Sequence, residues 1–496
     1  MTRFLGTEIE YGISTPDNPA LSPIITSTHL VVAYSGKTHR TRWDFGAESP
    51  LKDSRGFDLR RYHTAPVVHP HALGVANVVT SNGARFYVDH AHPEYSSPET
   101  TNAWDAMIFE LAGNCILRDA VELVADLTAQ GQSILEDHPP CPPLKIYKNN
   151  VDGKGASYGA HENYLYYRST GFNTLAQALI PFLVTRQIII GAGRVGLGQR
   201  GEIPGYQISQ RADYIEQEIS LETTLNRGII NTRDESHATE ELARLHVIIG
   251  DANMSHTSIF LKLGMTKLVI DAVESEIDFS DLALEKPVRE NINVSRDLTC
   301  THRLRLRDGR TLTAIEILRE YRNRVVAKDA IDRKVLELWE QVLNLLESNP
   351  LTTAHLLDWT AKLSILQAFK SRGIDWPDPK MALIDLQYAD IDPNKGLYYA
   401  LVRKKAMVEL VNNEEILHAV HNPPETSRAY LRGRVLARFG DDVLAATWDS
   451  LTLRSGNVIH IPQPGAGTFF EAGSLVENAQ NADEIAALFT STAAAP

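Results

Sequence analysis

Near its start the chain alternates polar and apolar residues over residues 6–12, GTEIEYG. Side chains of a β-strand point alternately to opposite faces, so this pattern predicts a short strand that sends Glu8 and Glu10 to one side and Ile9 into a core. Two carboxylates on one face favour a cation, and a hard divalent ion such as Mg²⁺ takes oxygen ligands. The same pattern also occurs on exposed edge strands, where acidic residues only keep the sheet soluble.

A second alternating segment, RFYVD at residues 85–89, predicts another strand. Its residues Arg85, Tyr87 and Asp89 should share one face, while the two apolar residues between them pack inward. An arginine can hold phosphate oxygens, and an aspartate can attack a carbonyl carbon or activate water. A structural salt bridge between Arg85 and Asp89 is the alternative interpretation.

The stretch that follows, residues 90–99, contains Pro93 and Pro98. Because proline interrupts a strand, we expect Glu94 and Ser97 to lie in a loop at the strand's end. Such loops often carry function. Glu94 adds a carboxylate that can bind a metal ion.

An aromatic, strand-like run covers residues 158–167, YGAHENYLYY. Neighbouring residues of a strand face opposite ways, so His161 and Asn163 share a face and the glutamate between them points away. We favour His161 as the residue that reaches the charged cavity. Farther along, Arg211 is a candidate for binding phosphate or an acidic substrate, although the glycines before it form neither a Rossmann nor a P-loop signature. We interpret His246 as a structural histidine.

Longer apolar periodicities predict helices over residues 102–130 and 327–346, packed against the sheet. At 496 residues the chain exceeds the usual size of one domain. We therefore expect a large catalytic domain over residues 1–415 and a small C-terminal domain over residues 422–496. The proline pair in NPPE, at residues 422–425, marks the boundary.

Within the smaller domain we expect a helical stretch around residues 427–439 and a strand over residues 448–461. Glycines at positions 465, 467 and 473 predict that the C-terminal end of this domain is rich in loops. The last residues, 490–496, should be frayed.

Composition excludes several classes of protein. The 49 Lys and Arg residues and 62 Asp and Glu residues give a net charge of −13, which argues against nucleic-acid binding. Cys115, Cys141 and Cys300 have no C-x-x-C spacing, so neither a disulfide framework nor a zinc site is indicated, and a reducing cytoplasm fits. No apolar run approaches the roughly 18 residues that a membrane-spanning helix needs, so we expect no membrane association.

Four segments, taken in order, resemble those of the enzymes that act on the prokaryotic ubiquitin-like protein Pup. They read GTEIEYG, RFYVDHAHPEYSSPE, SYGAHENYLYYR and RLHVIIGDANMSHTS, and the resemblance extends from residue 1 to about Trp448. The family is related in fold to glutamine synthetase and the carboxylate-amine ligases. It therefore implies an α+β, glutamine-synthetase-like catalytic domain with a largely antiparallel sheet packed by helices, plus a small C-terminal domain.

The family contains ligases, which join Pup to lysines of target proteins, and hydrolases, which remove Pup or deamidate its C-terminal glutamine. Residues 34–79 resemble the extra loop of the hydrolases, and we expect a long mobile loop at the active site there. DHAHPE at residues 89–94 is one residue shorter than the usual ligase motif, DVGSHPE. The resemblance thus implies an amide and isopeptide hydrolase. For the loop, the alternative is a surface insertion that the fold tolerates. For the activity, the alternatives are a ligase and a non-catalytic protein that binds nucleotide and Pup.

By position, the resemblance implies a role for each candidate residue. Asp89 is expected to be catalytic, as a nucleophile or as a base for water. ATP, or ADP plus phosphate, and Mg²⁺ are the expected cofactors, and Pup and pupylated proteins are the expected partners. Trp448 is expected near the adenine, with plain core packing as its alternative. The nucleotide residues are Arg85, Ser97, Arg211 and Trp448, and the metal residues are Glu8, Glu10, Tyr87, Glu94 and His161.

Overall fold

The computed structural model of the protein describes residues 2–35, 41–45, 52–55 and 72–492. Most of the loop that we expect at residues 34–79 lies outside the described residues, as do residues 493–496 of the predicted frayed end.

Eighteen strands occur in the described residues. They are β1 (Leu5–Glu10), β2 (Gly12–Ser14), β3 (Arg42–Trp43), β4 (Asn77–Val79), β5 (Arg85–Asp89), β6 (His92–Ser96), β7 (Lys145–Tyr147), β8 (Ala160–Tyr167), β9 (Arg194–Leu197), β10 (Ile203–Gln207), β11 (Ile215–Ser220), β12 (Arg227–Asn231), β13 (Leu242–Val247), β14 (Arg303–Arg305), β15 (Thr311–Thr313), β16 (Val443–Ala446), β17 (Ser450–Leu453) and β18 (Val458–His460).

Fifteen α-helices occur in the same ranges. They are α1 (Pro23–Tyr34), α2 (Ala103–Ala129), α3 (Phe172–Thr185), α4 (Gln187–Ile190), α5 (His256–Glu274), α6 (Pro287–Arg296), α7 (Ala314–Arg324), α8 (Ala330–Ser348), α9 (Asp358–Lys370), α10 (Pro379–Tyr388), α11 (Leu397–Arg403), α12 (Asn413–His421), α13 (Ala429–Phe439), α14 (Phe469–Asn478) and α15 (Ala482–Thr492).

The central sheet has eight strands in the order β11-β12-β13-β8-β1-β6-β5-β4. Neighbouring strands are antiparallel except β11 and β12, which run parallel. This confirms the predicted α+β class with a largely antiparallel sheet. Because β1 lies between β8 and β6, the first acidic segment occupies the middle of the sheet.

Helices α1, α2 and α5 pack against one face of this sheet. The apolar side chains of the alternating segments, Ile9 and Phe86 among them, are fully buried in that core, as their spacing predicts. The long helix α2 begins at Asn102, whose side chain accepts a hydrogen bond from the Asp105 backbone N–H and so caps the helix. Helices α2 and α8 confirm the two helical periodicities, but only α2 lies on the sheet as expected, because α8 packs mainly on α5 and α7. The polar residues of the same strands are left for the opposite face.

A second, smaller core lies around a four-stranded sheet in the order β18-β17-β16-β3. The predicted helix at residues 427–439 is present as α13. The single strand predicted at residues 448–461 is wrong, because the chain turns at Gly456, with φ of 96°, and forms β17 and β18. The loop-rich C-terminal end is present at Gly465 and Gly467, which lie in the turns before α14, but it is wrong beyond them, because α14 and α15 follow. Gly473 lies inside α14 and is itself buried.

The two cores divide near the predicted boundary. The larger core extends to Val420 in α12, and Tyr430 in α13 belongs to the smaller one. Trp43 and Val79 also join the smaller core, so its sheet and interior draw on residues far from the C-terminal region. The division into domains at residues 415–422 stays a prediction.

The three cysteines are buried and form no disulfide. No helix in the described ranges is both long enough and apolar enough to cross a membrane.

Candidate active site

The polar face of the central sheet forms the floor of a cavity of about 690 Å³. Strands β1, β5, β6, β8 and β13 each contribute side chains to its lining. The cavity therefore collects residues that are far apart in the sequence. Its lining includes Glu8, Glu10, Arg85, Tyr87, Asp89, Glu94, His161, Arg211 and Trp448, which are nine of the ten candidate site residues.

Three carboxylates form a tight group in this cavity. Glu10, Asp89 and Glu94 can each place one oxygen within 4.8 Å of the others. Glu94 lies opposite Glu10 in the pairing of β1 with β6, and Asp89 ends the neighbouring strand β5. Such a set of hard oxygen donors fits a divalent cation such as Mg²⁺.

Glu94 does not lie in a loop, so that prediction is wrong. The residue belongs to β6, which continues through Pro93. Proline cannot donate a backbone hydrogen bond, but its carbonyl still accepts one from the Tyr11 N–H, and the strand stays paired on both sides. Glu94 is thereby held rigidly in the middle of the carboxylate group.

Charge repulsion within this group falls mainly on Glu94. Burial, and then the charges of Asp89, Glu10 and Glu8, raise the pKa of Glu94 well above its usual value. Tyr87 faces Glu94 from β5, and burial together with the Glu94 charge raises the pKa of the Tyr87 phenol. Burial also acts to raise the pKa of Glu10, but the His92 imidazole, whose Nδ1 lies 3.4 Å from Glu10 Oε2, and the charge of His161 outweigh it and lower that pKa. A bound cation would stabilise the ionised forms of all three carboxylates.

A second group of possible ligands lies beside the first. Glu8, His161 and His246 can each place one ligand atom within 4.8 Å of the others. The Asn163 side-chain amide donates to Glu8 Oε1 at 3.0 Å, and Arg244 Nη1 lies 3.7 Å from the same oxygen. Burial acts to raise the pKa of Glu8, but the His161 imidazole, whose Nδ1 lies 3.5 Å from Glu8 Oε2, and the charges of His246 and Arg244 outweigh it and lower that pKa.

His161 and Asn163 do face the cavity side of β8 together, as alternation predicts. Glu162 points the other way and forms a buried ion pair with Arg186 at 2.6 Å. The structural interpretation of His246 overlooked its position: β13 pairs with β8, and His246 lies opposite Asn163. Alternation over LARLHV, which places Arg244 and His246 on one face, is the signal that could have found it.

The Arg85 guanidinium lies in an aromatic cage. It is 4.2 Å from the ring centre of Trp43 and 4.0 Å from that of Tyr87, and its Nε donates to Asn77 Oδ1 at 2.9 Å. Trp448 packs edge-on against Trp43, with ring centres 5.2 Å apart. Arg85 and Trp448 thus lie on the same side of the cavity. Such cation–π contacts hold a guanidinium in a fixed plane.

Ser97 lies outside this cavity and just past the end of β6. It lines a smaller, adjoining cavity with Phe4, Leu5 and Trp448. Its hydroxyl accepts a hydrogen bond of 2.9 Å from the Thr7 backbone N–H, which ties the end of β6 to β1. The prediction of a loop position therefore holds for Ser97, although it is wrong for Glu94.

Arg211 is buried at the far side of the cavity. Its Nη1 donates to the Tyr158 carbonyl at 2.6 Å and to Ser157 Oγ at 3.2 Å. Burial and the charge of the neighbouring Arg227 lower the pKa of Arg211 to about 10, so the guanidinium stays charged at neutral pH. Two arginines beside the carboxylate groups can bind an anionic ligand. Arg227, which the sequence did not single out, carries no motif of its own.

Comparison with known proteins identifies the family. Residues 3–452 match the family model described as Pup-ligase protein. A protein of Mycolicibacterium smegmatis named Pup deamidase/depupylase is 48% identical, and the alignment covers 98% of this chain and 99% of that protein.

Two solved structures of the Pup ligase PafA are similar as well. The complex of Pup with PafA superposes with a TM-score of 0.78 at 31% identity, covering 98% of this chain and 95% of that one. PafA in complex with ADP gives a TM-score of 0.72 at 33% identity, covering 85% and 96%. The chain therefore belongs to the Pup-ligase family.

Proposed function

We propose that this protein hydrolyses the isopeptide bond between the C-terminal glutamate of Pup and a target lysine, and that it deamidates Pup that ends in glutamine. The observation that carries the proposal is the 48% identity, over nearly the full length of both chains, to a protein named Pup deamidase/depupylase. The ligase structures share 31% and 33% identity with the chain. The hydrolase is therefore favoured over the ligase.

ATP, or ADP plus phosphate, and Mg²⁺ are the proposed cofactors, and the proposed site of action is the cytoplasm. The ADP in one ligase structure supports a nucleotide, and the carboxylates of Glu10 and Glu94 have the donor chemistry that suits Mg²⁺. Pup and pupylated proteins are the proposed partners.

Each lining residue then has a role that its position supports. Glu10, Glu94 and Tyr87 would hold the metal, with Glu8 and His161 completing the set from β1 and β8. Arg85, caged by aromatic rings, and Trp448 would bind the nucleotide, with Ser97 supporting the adjoining cavity and Arg211 binding phosphate. When bound, the metal would supply positive charge that stabilises the negative charge developing on the carbonyl oxygen.

Asp89 is proposed to start the cleavage. Its side chain is 39% exposed at the cavity, which leaves an oxygen accessible to substrate. As a nucleophile, it would bond to the carbonyl carbon and form an anhydride, the lysine amine would leave with a proton, and water would then cleave the anhydride. As a base, it would instead take a proton from the attacking water. Both routes release Pup and an unmodified lysine.

The test is to incubate the purified protein with a pupylated target, with and without nucleotide and Mg²⁺, and to follow the products on a gel. The proposal expects the free target and Pup to appear when both cofactors are present, without matching ATP consumption. Formation of new conjugates with stoichiometric ADP release would establish the ligase instead. Binding of Pup without any cleavage would establish a non-catalytic protein.

A further inference from the structure

A two-residue hairpin turn joins β5 to β6 at the edge of the cavity. Asp89 and His92 are paired across the two strands, which leaves His90 and Ala91 as the turn. The Ala91 carbonyl accepts a hydrogen bond of 2.8 Å from Ser27 in α1, so the turn is anchored to the body of the protein. The residue beside Asp89 is therefore held at a defined place.

His90 adopts a left-handed backbone conformation with φ of 53°. Glycine is the residue that two-residue hairpins favour where φ is positive, and a side chain there adds strain. The imidazole is 71% exposed, so packing does not explain its presence. Within the described ranges, the ring's hydrogen-bonding partner is the neighbouring carboxylate: His90 Nδ1 lies 2.8 Å from Asp89 Oδ2.

The direction of this hydrogen bond follows from its acceptor. An ionised carboxylate only accepts, so Nδ1 must carry the proton, and the neutral imidazole already provides that donor. Among the described residues, this is the side-chain hydrogen bond that Asp89 accepts. One carboxylate oxygen is thereby fixed, and the other stays available at the cavity.

We propose that His90 is a positioning residue, which holds Asp89 so that one carboxylate oxygen faces the scissile carbonyl. This inference rests on the proposed function, because it assigns Asp89 the attacking or proton-accepting role. Misplacing a reacting group by a small distance is costly in rate, and a residue that acts through Asp89 affects that rate more than the binding of substrate. The effect should therefore fall mainly on kcat, with little change in KM.

Three substitutions separate positioning from a role in the turn. His90→Gly removes the imidazole and relieves the left-handed strain, so a role in the turn alone would leave it fully active. We expect kcat for cleavage of a Pup conjugate to fall roughly tenfold, with KM within about twofold of wild type. His90→Ala should lose as much. His90→Asn should restore most of kcat, because its side-chain N–H can donate from a similar place and asparagine tolerates positive φ.

Wild-type kcat in His90→Gly, or an Asn variant as slow as the Gly variant, would overturn the proposal. A second readout does not need activity: NMR of the full chain with ¹⁵N-labelled histidine, with the His90 signal assigned by its loss in His90→Asn. We expect the Nδ1–H form in wild type and its loss in Asp89→Ala, and a wild-type ring protonated at Nε2 alone would refute the contact. If wild type cleaves no conjugate, the proposed function fails, and the spectrum still decides whether His90 holds Asp89.

Discussion

Glu10 and Glu94 lie directly opposite each other on the paired strands β1 and β6, and both point into the same cavity. Two like charges that face each other across a sheet destabilise it unless a cation lies between them. Burial and the neighbouring carboxylates raise the pKa of Glu94, which is the same repulsion expressed as proton affinity. The site is therefore expected to gain stability from a bound metal ion.

Mg²⁺ should raise the unfolding temperature of wild type, and Glu94→Gln should abolish most of that rise. At a Mg²⁺ concentration of about 100 times Kd, wild type should gain about 2.7 kcal/mol. In EDTA the variant should be no less stable than wild type, because the repulsion is gone. Differential scanning calorimetry with and without Mg²⁺ measures both effects.

The matched control is Glu347→Gln, which removes a carboxylate from a surface ion pair with Arg319. This variant should keep the full response to Mg²⁺. An equally large response in Glu94→Gln would show that Glu94 does not bind the metal.

Asp89→Asn should lose cleavage of Pup conjugates by at least about a thousandfold, because the amide neither attacks a carbonyl nor accepts a proton from water. Nucleotide affinity should stay close to that of wild type, since Arg85 and Trp448 are unchanged. A gel assay and isothermal titration calorimetry measure the two properties. Asp375→Asn, which alters an exposed ion pair with Lys370, is the control and should cleave normally. Normal cleavage by Asp89→Asn would rule out both proposed roles of the residue.

Arg85→Lys should weaken nucleotide binding about tenfold, because an ammonium keeps the charge but loses the planar fork and the stacking between Trp43 and Tyr87. The unfolding temperature should change little, since the aliphatic part of the side chain remains. Fluorescence titration with a labelled nucleotide checks the affinity. Unaltered affinity would place the nucleotide elsewhere in the cavity.

Glu99→Gln should destabilise the protein by about 3–5 kcal/mol, because it leaves two buried guanidiniums with an incomplete partner. The Glu99 carboxylate accepts from Arg428 at 2.8 Å and from Arg432 at 2.5 Å, and Arg432 also donates to the Trp448 carbonyl. The variant should therefore bind nucleotide more weakly as well. Denaturant unfolding and nucleotide titration test the two effects separately.

Because of the same Glu99 carboxylate, the free energy of unfolding should decrease at acidic pH. Burial acts to raise the pKa of Glu99, but the charges of Arg432 and Arg428 outweigh it and lower that pKa. A lowered folded pKa means that this stabilisation is complete above the unfolded value, near 4.5, and is lost as the pH falls below it. Wild type should lose more stability than Glu99→Gln between pH 5 and pH 3. If wild type and Glu99→Gln lost equal stability over this pH range, Glu99 would not be the group responsible.

Because of His256, the free energy of unfolding should decrease as the pH is lowered from 7 to 4. Burial lowers its pKa to about 4, and its Nδ1 accepts a hydrogen bond from the Leu410 N–H, which needs the neutral ring. The unfolded chain takes up the proton near pH 6.5, so stability falls by about 2 kcal/mol on going to pH 5. In His256→Asn the acceptor is kept and the titration is removed, so unfolding curves should show a shallower decline. If the stability of His256→Asn fell as steeply with pH as that of wild type, His256 would not be a source of the pH dependence.

Much of the site follows from the two-residue period of strands. Alternation placed Glu8 with Glu10 and Arg85 with Asp89 because the side-chain direction depends only on neighbouring residues. Glu94 was misplaced because proline is a local signal against strands, whereas the pairing that keeps Pro93 in β6 comes from β1 and β5. His246 was interpreted as structural for a related reason, since its position beside His161 depends on the pairing of β13 with β8.

The surroundings of Trp448 could not be predicted from local patterns. Trp43 and Trp448 are in contact although about four hundred residues separate them, and the pairing of β3 with β16 brings them together. A single chain does not reveal such long-range pairs through its periodicity. The smaller core, likewise, includes Val79 from the region before β5.

The parallel pairing of β3 with β16 also bears on how this protein can be divided for experiments. A shortened polypeptide that stops before Val443 would leave β3 without its neighbour and would take Trp448 away from Trp43. A fragment made of the C-terminal region alone would lack the strand that completes its sheet. Split-protein reporters, limited-proteolysis fragments and expression of isolated pieces should therefore keep residues 41–45 together with residues 443–461.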